Sequence, residues 1–139
     1  MSLIDCLPHR PPMRLVEEVI EIVPGERAAA RRTTGAGDFY FQGHFPGQPI
    51  VPAVILVEMV AQAGGLAVAA PQDAAAAPSV QLRVAAIGPF KFPAAASAGV
   101  TLEARARVAG RLGGLYKIEG TVTADGVLVA AGSVTLADV

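Results

Sequence analysis

Residues 53–70 read AVILVEMVAQAGGLAVAA, and Glu58 and Gln62 are the only strongly polar side chains in the run. Standing four residues apart, they lie one above the other on a single helix face. A helix that is apolar on its other faces belongs inside a protein. An ionised carboxylate is costly to bury there, so Glu58 must be paired, neutralised or kept for chemistry. Just upstream, Gly43-His44-Phe45-Pro46-Gly47 presents a histidine on a rigid, glycine-flanked turn. A histidine and a half-buried carboxylate are the parts that general acid–base catalysis needs.

Outward from the helix, the chain alternates breakers and strands. Pro52 sets the helix start. The helix either frays near Gly64-Gly65 or continues to about Ala70, where Pro71 stops it. Residues 38–52 form a loop rich in Gly and Pro, and 7–12 form a proline-punctuated entry segment. RLVEEVIEIV at 14–23 reads as a strand ending at Pro24-Gly25, with one helical turn also tolerated at its start. Residues 27–34 are its expected partner, and 72–78 form an alanine-rich connector. Beyond it the period becomes two, first at 80–84 and then cleanly at 100–108. There Val100, Leu102, Ala104, Ala106 and Val108 face one way and Thr101, Glu103, Arg105 and Arg107 the other. Gly113-Gly114 turns the chain into 115–124, and Asp125-Gly126 signals a hairpin into 127–136. One buried helix with several antiparallel strands predicts an α+β fold, a curved sheet wrapped around one long central helix.

Composition narrows the function. A chain of 139 residues fits one domain over 1–139, and a 53% hydrophobic content excludes a disordered chain. Net charge is −1 with scattered Lys and Arg, so neither nucleic acid nor an anionic membrane is an expected partner. The single cysteine, Cys6, has no disulfide partner within the chain and suits a reducing cytoplasm. Asp5 and His9-Arg10 interrupt any secretory signal, and Glu58, Gln62 and Gly64-Gly65 break the apolar run, which reads as a core helix and not a membrane span. A cytoplasmic protein is the expectation. The high apolar fraction with only 5% aromatics points to extra buried surface at a subunit interface. No cluster of ligands suggests a metal, and no cofactor is expected.

The stretch GHFPGQPIVPAVILVEMVAQAGG, residues 43–65, resembles the signature of the FabZ-type 3-hydroxyacyl-acyl-carrier-protein dehydratases. Leu7-Pro8-His9-Arg10 matches that family's N-terminal segment, and Phe41-Gln42 the residues before its GHFPG. The similarity runs from Ile4 to Leu136. The resemblance implies a hot-dog fold and a homo-oligomer, a dimer or a trimer of dimers. It places the active site across the dimer interface, with His44 from one subunit and Glu58 from the other. It also implies dehydration of (3R)-3-hydroxyacyl thioesters on acyl carrier protein. In that reading neutral His44 takes the α-proton and Glu58 protonates the departing hydroxyl. Backbone amides at the helix start, Ala53's among them, polarise the thioester carbonyl. Gln62 orients the carboxylate, and Gly43, Phe45, Ala53, Val54 and Gln62 contact substrate. His9 reads as a packing or hydrogen-bonding residue, and Phe39, Tyr40, Phe41, Phe45, Phe90 and Phe92 as candidates for lining an acyl tunnel.

Three departures from the family pattern bear on substrate. Ala53 stands where glycine is usual, keeping the N–H but adding a methyl group. Pro93 and Ala94 replace arginines, and Ala98-Gly99-Val100 replaces a Pro-Gly-Asp turn, which weakens carrier docking, shifts it to Lys91 and Arg83, or implies a different carrier. Pro11 stands where an aromatic is common. These changes point to a divergent or pathway-specific member. The rival readings are a non-catalytic acyl-carrier-binding subunit and a hot-dog thioesterase.

Overall fold

The computed structural model describes residues 2–71 and 81–139. The connector expected at 72–78, and Val80 at the head of an expected strand, lie outside those residues. A short 3₁₀ turn at Leu3–Cys6 leads to β1 (Glu18–Val23) and β2 (Arg27–Thr33). A second 3₁₀ turn at Phe39–Phe41 precedes α1 (Ala53–Ala69). Then come β3 (Leu82–Lys91), β4 (Thr101–Leu112), β5 (Leu115–Ala124) and β6 (Val127–Asp138). The strands make one antiparallel sheet in the order β1-β2-β4-β5-β6-β3, wrapped around α1. This is the α+β hot-dog arrangement.

The alternation in β4 sets the sheet's inner face. Leu102, Ala104 and Ala106 are buried while Arg105 and Arg107 are exposed. They meet Ile118, Val122, Val134 and Leu136 from the neighbouring strands and Met59, Val60 and Leu66 from α1. Small residues let the helix sit close. A Cβ added at Gly64 would lie 2.6 Å from Ile118 Cγ2, and one at Gly120 would lie 2.7 Å from Val60 Cγ1. That packing carries the helix straight through Gly64-Gly65 to Ala69, so it does not fray where glycine propensity alone would allow.

Other expectations need correction. The strand expected from Arg14 begins at Glu18. Residues 10–13 turn back, with Met13 N–H and Arg14 N–H both donating to Arg10 O, and Leu15 N–H is bonded to the Gln62 side chain. The strand expected at 80–84 runs on to Lys91. It is the sheet's edge, hydrogen-bonded to β6 alone, which is where Pro89 and its two register shifts are tolerated. β4 continues four residues past Val108 as a ribbon with β5, ending at the Gly113-Gly114 turn. At the β5–β6 hairpin, Asp125 (φ 47) and Gly126 (φ 85) both take positive φ, as the Asp-Gly pair predicts. Finally, α1 is not wholly interior. Its first two residues stand out of the core, with Val54 73% exposed.

Candidate active site

His44 is held by its own loop. Its backbone N–H donates to Phe41 O, its carbonyl accepts from Ile50 N–H, and Nδ1 lies 2.9 Å from Ile50 O. A carbonyl only accepts, so the proton sits on Nδ1 and Nε2 keeps its lone pair. The ring stacks on Phe45 at 4.3 Å between centroids. Positive φ at Gly43 (76°) and Gly47 (74°) explains why glycines flank this turn. Reciprocal backbone bonds between Phe45 and Gln48 close it.

The segment before His44 is clipped to the sheet by Asp38. Its carboxylate accepts from Arg32 Nε (3.1 Å), Arg32 Nη2 (2.6 Å), Tyr40 Oη (2.7 Å) and Gly35 N–H (3.3 Å). Burial alone would raise the Asp38 carboxyl, but these donors outweigh it and hold it below its ordinary value. Burial and the Asp38 charge push the Tyr40 hydroxyl up to about 12. Asp38 O in turn receives Phe41 N–H, so the network reaches within three residues of His44.

Glu58 sits one helical turn into α1, half-buried. Gln62 is 1% exposed and every polar atom of its amide is used. Its Oε1 accepts from Leu15 N–H (2.9 Å), and its Nε2 donates to Met13 O (2.8 Å) and Glu58 Oε2 (2.9 Å). The backbone donor and acceptor fix which way the amide points, so Glu58 must meet the NH₂ end. On its other side Glu58 Oε2 lies 3.4 Å from His9 Nε2. His9 and Glu58 share a cavity of about 250 Å³ whose wall includes Leu7, Leu82, Val84 and Leu136. Ala61, Gly65 and Ala69, stacked along the same helix face, leave it room. Cys6 also lines it, its thiol pushed up by burial and by Asp5.

At the amino end of α1, Pro52 caps the helix without a side-chain bond, and Ile55 N–H is the first to turn back, to Pro52 O. The amides of Ala53 and Val54 are left pointing outward at the positive end of the helix dipole. Both residues are exposed. Ala53 sits in ordinary helical geometry, so nothing in its backbone conformation calls for glycine.

Within one chain the predicted residues fall into two groups. Gly43, His44 and Phe45 form one, and Glu58 with Gln62 forms the other; the cavity beside Glu58 does not include His44. The aromatics do not line that cavity either. Tyr40 and Phe41 are buried in the core, Phe39 and Tyr40 border a separate cleft near Arg32, and Phe90 stacks on Phe92. Arg83 lines the Glu58 cavity, while Lys91 borders a wider groove of about 630 Å³ on the outer face of the sheet. That groove contains neither His44 nor Glu58, and two of its arginines, Arg27 and Arg107, are paired to Glu21 and Glu119. His9, read from the sequence as a packing or hydrogen-bonding residue, is Glu58's neighbour, a partner that only contact across the fold reveals. Among the described residues no three His, Cys, Asp or Glu side chains gather as a metal site, and no helix is long and apolar enough to cross a membrane.

Comparisons with known proteins identify the family. The FabA-like domain family matches residues 7–133. The chain is 36% identical over 136 residues to the 3-hydroxyacyl-[acyl-carrier-protein] dehydratase FabZ of Nitratidesulfovibrio vulgaris, spanning 98% of this chain and 88% of that protein. It is 37% identical over 133 residues to the FabZ of Ruminiclostridium cellulolyticum, spanning 96% and 92%. In fold it matches a chain of the dehydratase heterocomplex ApeI:P from Xenorhabdus doucetiae with a TM-score of 0.82 at 19% identity, covering 100% of this chain and 91% of that one. With its helix, its wrapped sheet and the GHFPG and VE-x-x-AQ segments in place, the chain belongs to the FabA-like family, among the FabZ-type 3-hydroxyacyl-acyl-carrier-protein dehydratases.

Proposed function

We propose that this chain removes water from (3R)-3-hydroxyacyl thioesters on acyl carrier protein, giving trans-2-enoyl thioesters. The observation that carries the reading is Glu58 at the wall of an apolar cavity able to take an aliphatic chain. His44 Nε2 takes the α-proton. As that C–H bond breaks, its electrons form the alkene, and the C–O bond at C3 breaks as Glu58 delivers a proton to the hydroxyl, which leaves as water. The amides of Ala53 and Val54 stabilise the charge that grows on the thioester oxygen. No step needs a metal or a redox group.

A complete site takes two copies. His44 and Glu58 border different spaces within one chain. β3 is a ten-residue edge strand whose outer side has no partner strand among the described residues; it carries Ile87 at 63% exposure, and such an edge is a template for pairing. Phe45 (51% exposed), Val54 and Phe92 (42%) are further apolar surface for an interface. Pairing two copies through these surfaces supports a site built from His44 of one subunit and Glu58 of the other.

The experiment is incubation with 3-hydroxybutyryl- and 3-hydroxyoctanoyl-carrier protein, following alkene absorbance and free thiol together. Alkene without thiol is the expected result. Thiol without alkene would establish a thioesterase, and tight carrier binding with neither product a non-catalytic subunit.

A further inference from the structure

Two side chains converge on one oxygen of Glu58. Gln62 Nε2 donates to Oε2 at 2.9 Å, and His9 Nε2 stands 3.4 Å from the same atom. Among the described residues nothing bonds Oε1. The segment that carries His9 is itself fixed, because Arg10 Nη1 folds back onto both Leu7 O and His9 O at 2.8 Å. The remaining cations near the pair are turned elsewhere. Arg14 faces Asp5, and Arg83, across the cavity on β3, makes no ion pair with Glu58.

His9 Nδ1 is buried with no hydrogen-bond partner. An N–H left unmet in a protein interior is rarer than an unmet acceptor. Of the two neutral tautomers, the one with its proton on Nε2 leaves only a lone pair unmet, and it puts the N–H on the nitrogen 3.4 Å from Glu58 Oε2, a contact slightly longer than a formed hydrogen bond. We propose that His9 is a positioning residue: as the Nε2–H tautomer it acts with Gln62 to hold Oε2 of Glu58, leaving Oε1 as the oxygen that exchanges a proton with substrate. This rests on the dehydratase reading for its kinetic consequence but not for its geometry. Holding an acid with neutral donors has a chemical logic. A fixed cation at that place would favour the carboxylate permanently, whereas imidazole and amide orient the group while leaving it able to carry and release a proton.

Two measurements test it. In kinetics, His9→Ala lowers kcat roughly 10–100-fold, as a displaced reacting group does, and KM changes less than about threefold. His9→Gln, which keeps a donor, recovers part of the loss. In a Glu58→Gln background His9→Ala has no further effect, because the group it positions no longer holds a transferable proton. A His9→Ala loss equally large with and without Glu58, or a kcat within about threefold of wild type, overturns the proposal. In ¹⁵N NMR of the wild-type chain, which has two histidines and so needs one variant to assign them, neutral His9 shows its proton on Nε2, and Glu58→Gln changes its ring shifts. A dominant Nδ1–H tautomer, or shifts indifferent to Glu58→Gln, overturns it without any appeal to turnover. If wild type shows no dehydration, the dehydratase reading falls and the NMR result alone decides the pairing.

Discussion

Nδ1 of His44 lies 2.9 Å from the carbonyl oxygen of Ile50, whose own N–H donates back to the carbonyl of His44. This two-way tie makes Nε2 the only ring nitrogen able to accept a proton. His44→Ala therefore costs about 10²–10⁴-fold in kcat. It costs less than about 1 kcal/mol of stability, because the side chain is half-exposed in a loop outside the core. Steady-state rates and a urea titration on the same preparation check both halves.

Asp38 holds the chain leading to that loop, so its charge is a stability element. Its folded pKa lies below the ordinary value of 3.8. Its contribution is therefore fully present above that value and is lost as pH falls through the lower folded one. Asp38→Asn lowers unfolding free energy by about 1–3 kcal/mol at neutral pH. It also flattens the fall in stability as pH drops below about 4. Denaturant midpoints across that range measure the difference.

Gly64 packs against Ile118 with no room for a methyl group. Gly64→Ala destabilises by about 1–3 kcal/mol, although alanine is the better helix former. In an Ile118→Ala background, which lacks both Cγ atoms that the new methyl would meet, Gly64→Ala costs less than it does beside Ile118. Urea unfolding of the single and double variants reads it directly.

The cavity beside Glu58 owes its space to Ala61, Gly65 and Ala69. Filling it with Ala69→Phe lowers kcat/KM for a 3-hydroxyoctanoyl substrate at least about tenfold more than for 3-hydroxybutyryl, since lost burial of four methylenes is worth a few kcal/mol. Equal losses on both substrates would place the acyl chain elsewhere.

Much of this was legible in the sequence because the deciding signals are local. The four-residue spacing of Glu58 and Gln62, the period-two run in β4 and the Asp125-Gly126 turn each state their geometry within a few residues. What stayed hidden depends on distant contact. The amide of Gln62 is consumed by Leu15, 47 positions away, and by Met13, 49 away, and that is why β1 starts late. His9 read as a packing or hydrogen-bonding residue without a named partner, because nothing in Leu7-Pro8-His9-Arg10 announces that the fold brings it to Glu58. The cavity beside Glu58 was hidden for a related reason: within one chain its space is left by small side chains on α1, an absence of volume that no residue type advertises.

The reading of the site as shared between subunits can be tested by mixing. His44→Ala and Glu58→Gln proteins, each slower than wild type by at least about 10²-fold alone, are combined under mild denaturant and allowed to reassociate. Equal mixing makes half the dimers hybrid, each with one intact site of two, so activity should return to about a quarter of wild type. If the mixture stays as inactive as its parents while hybrid dimers are shown to form, His44 and Glu58 do not meet across the interface and the account is wrong.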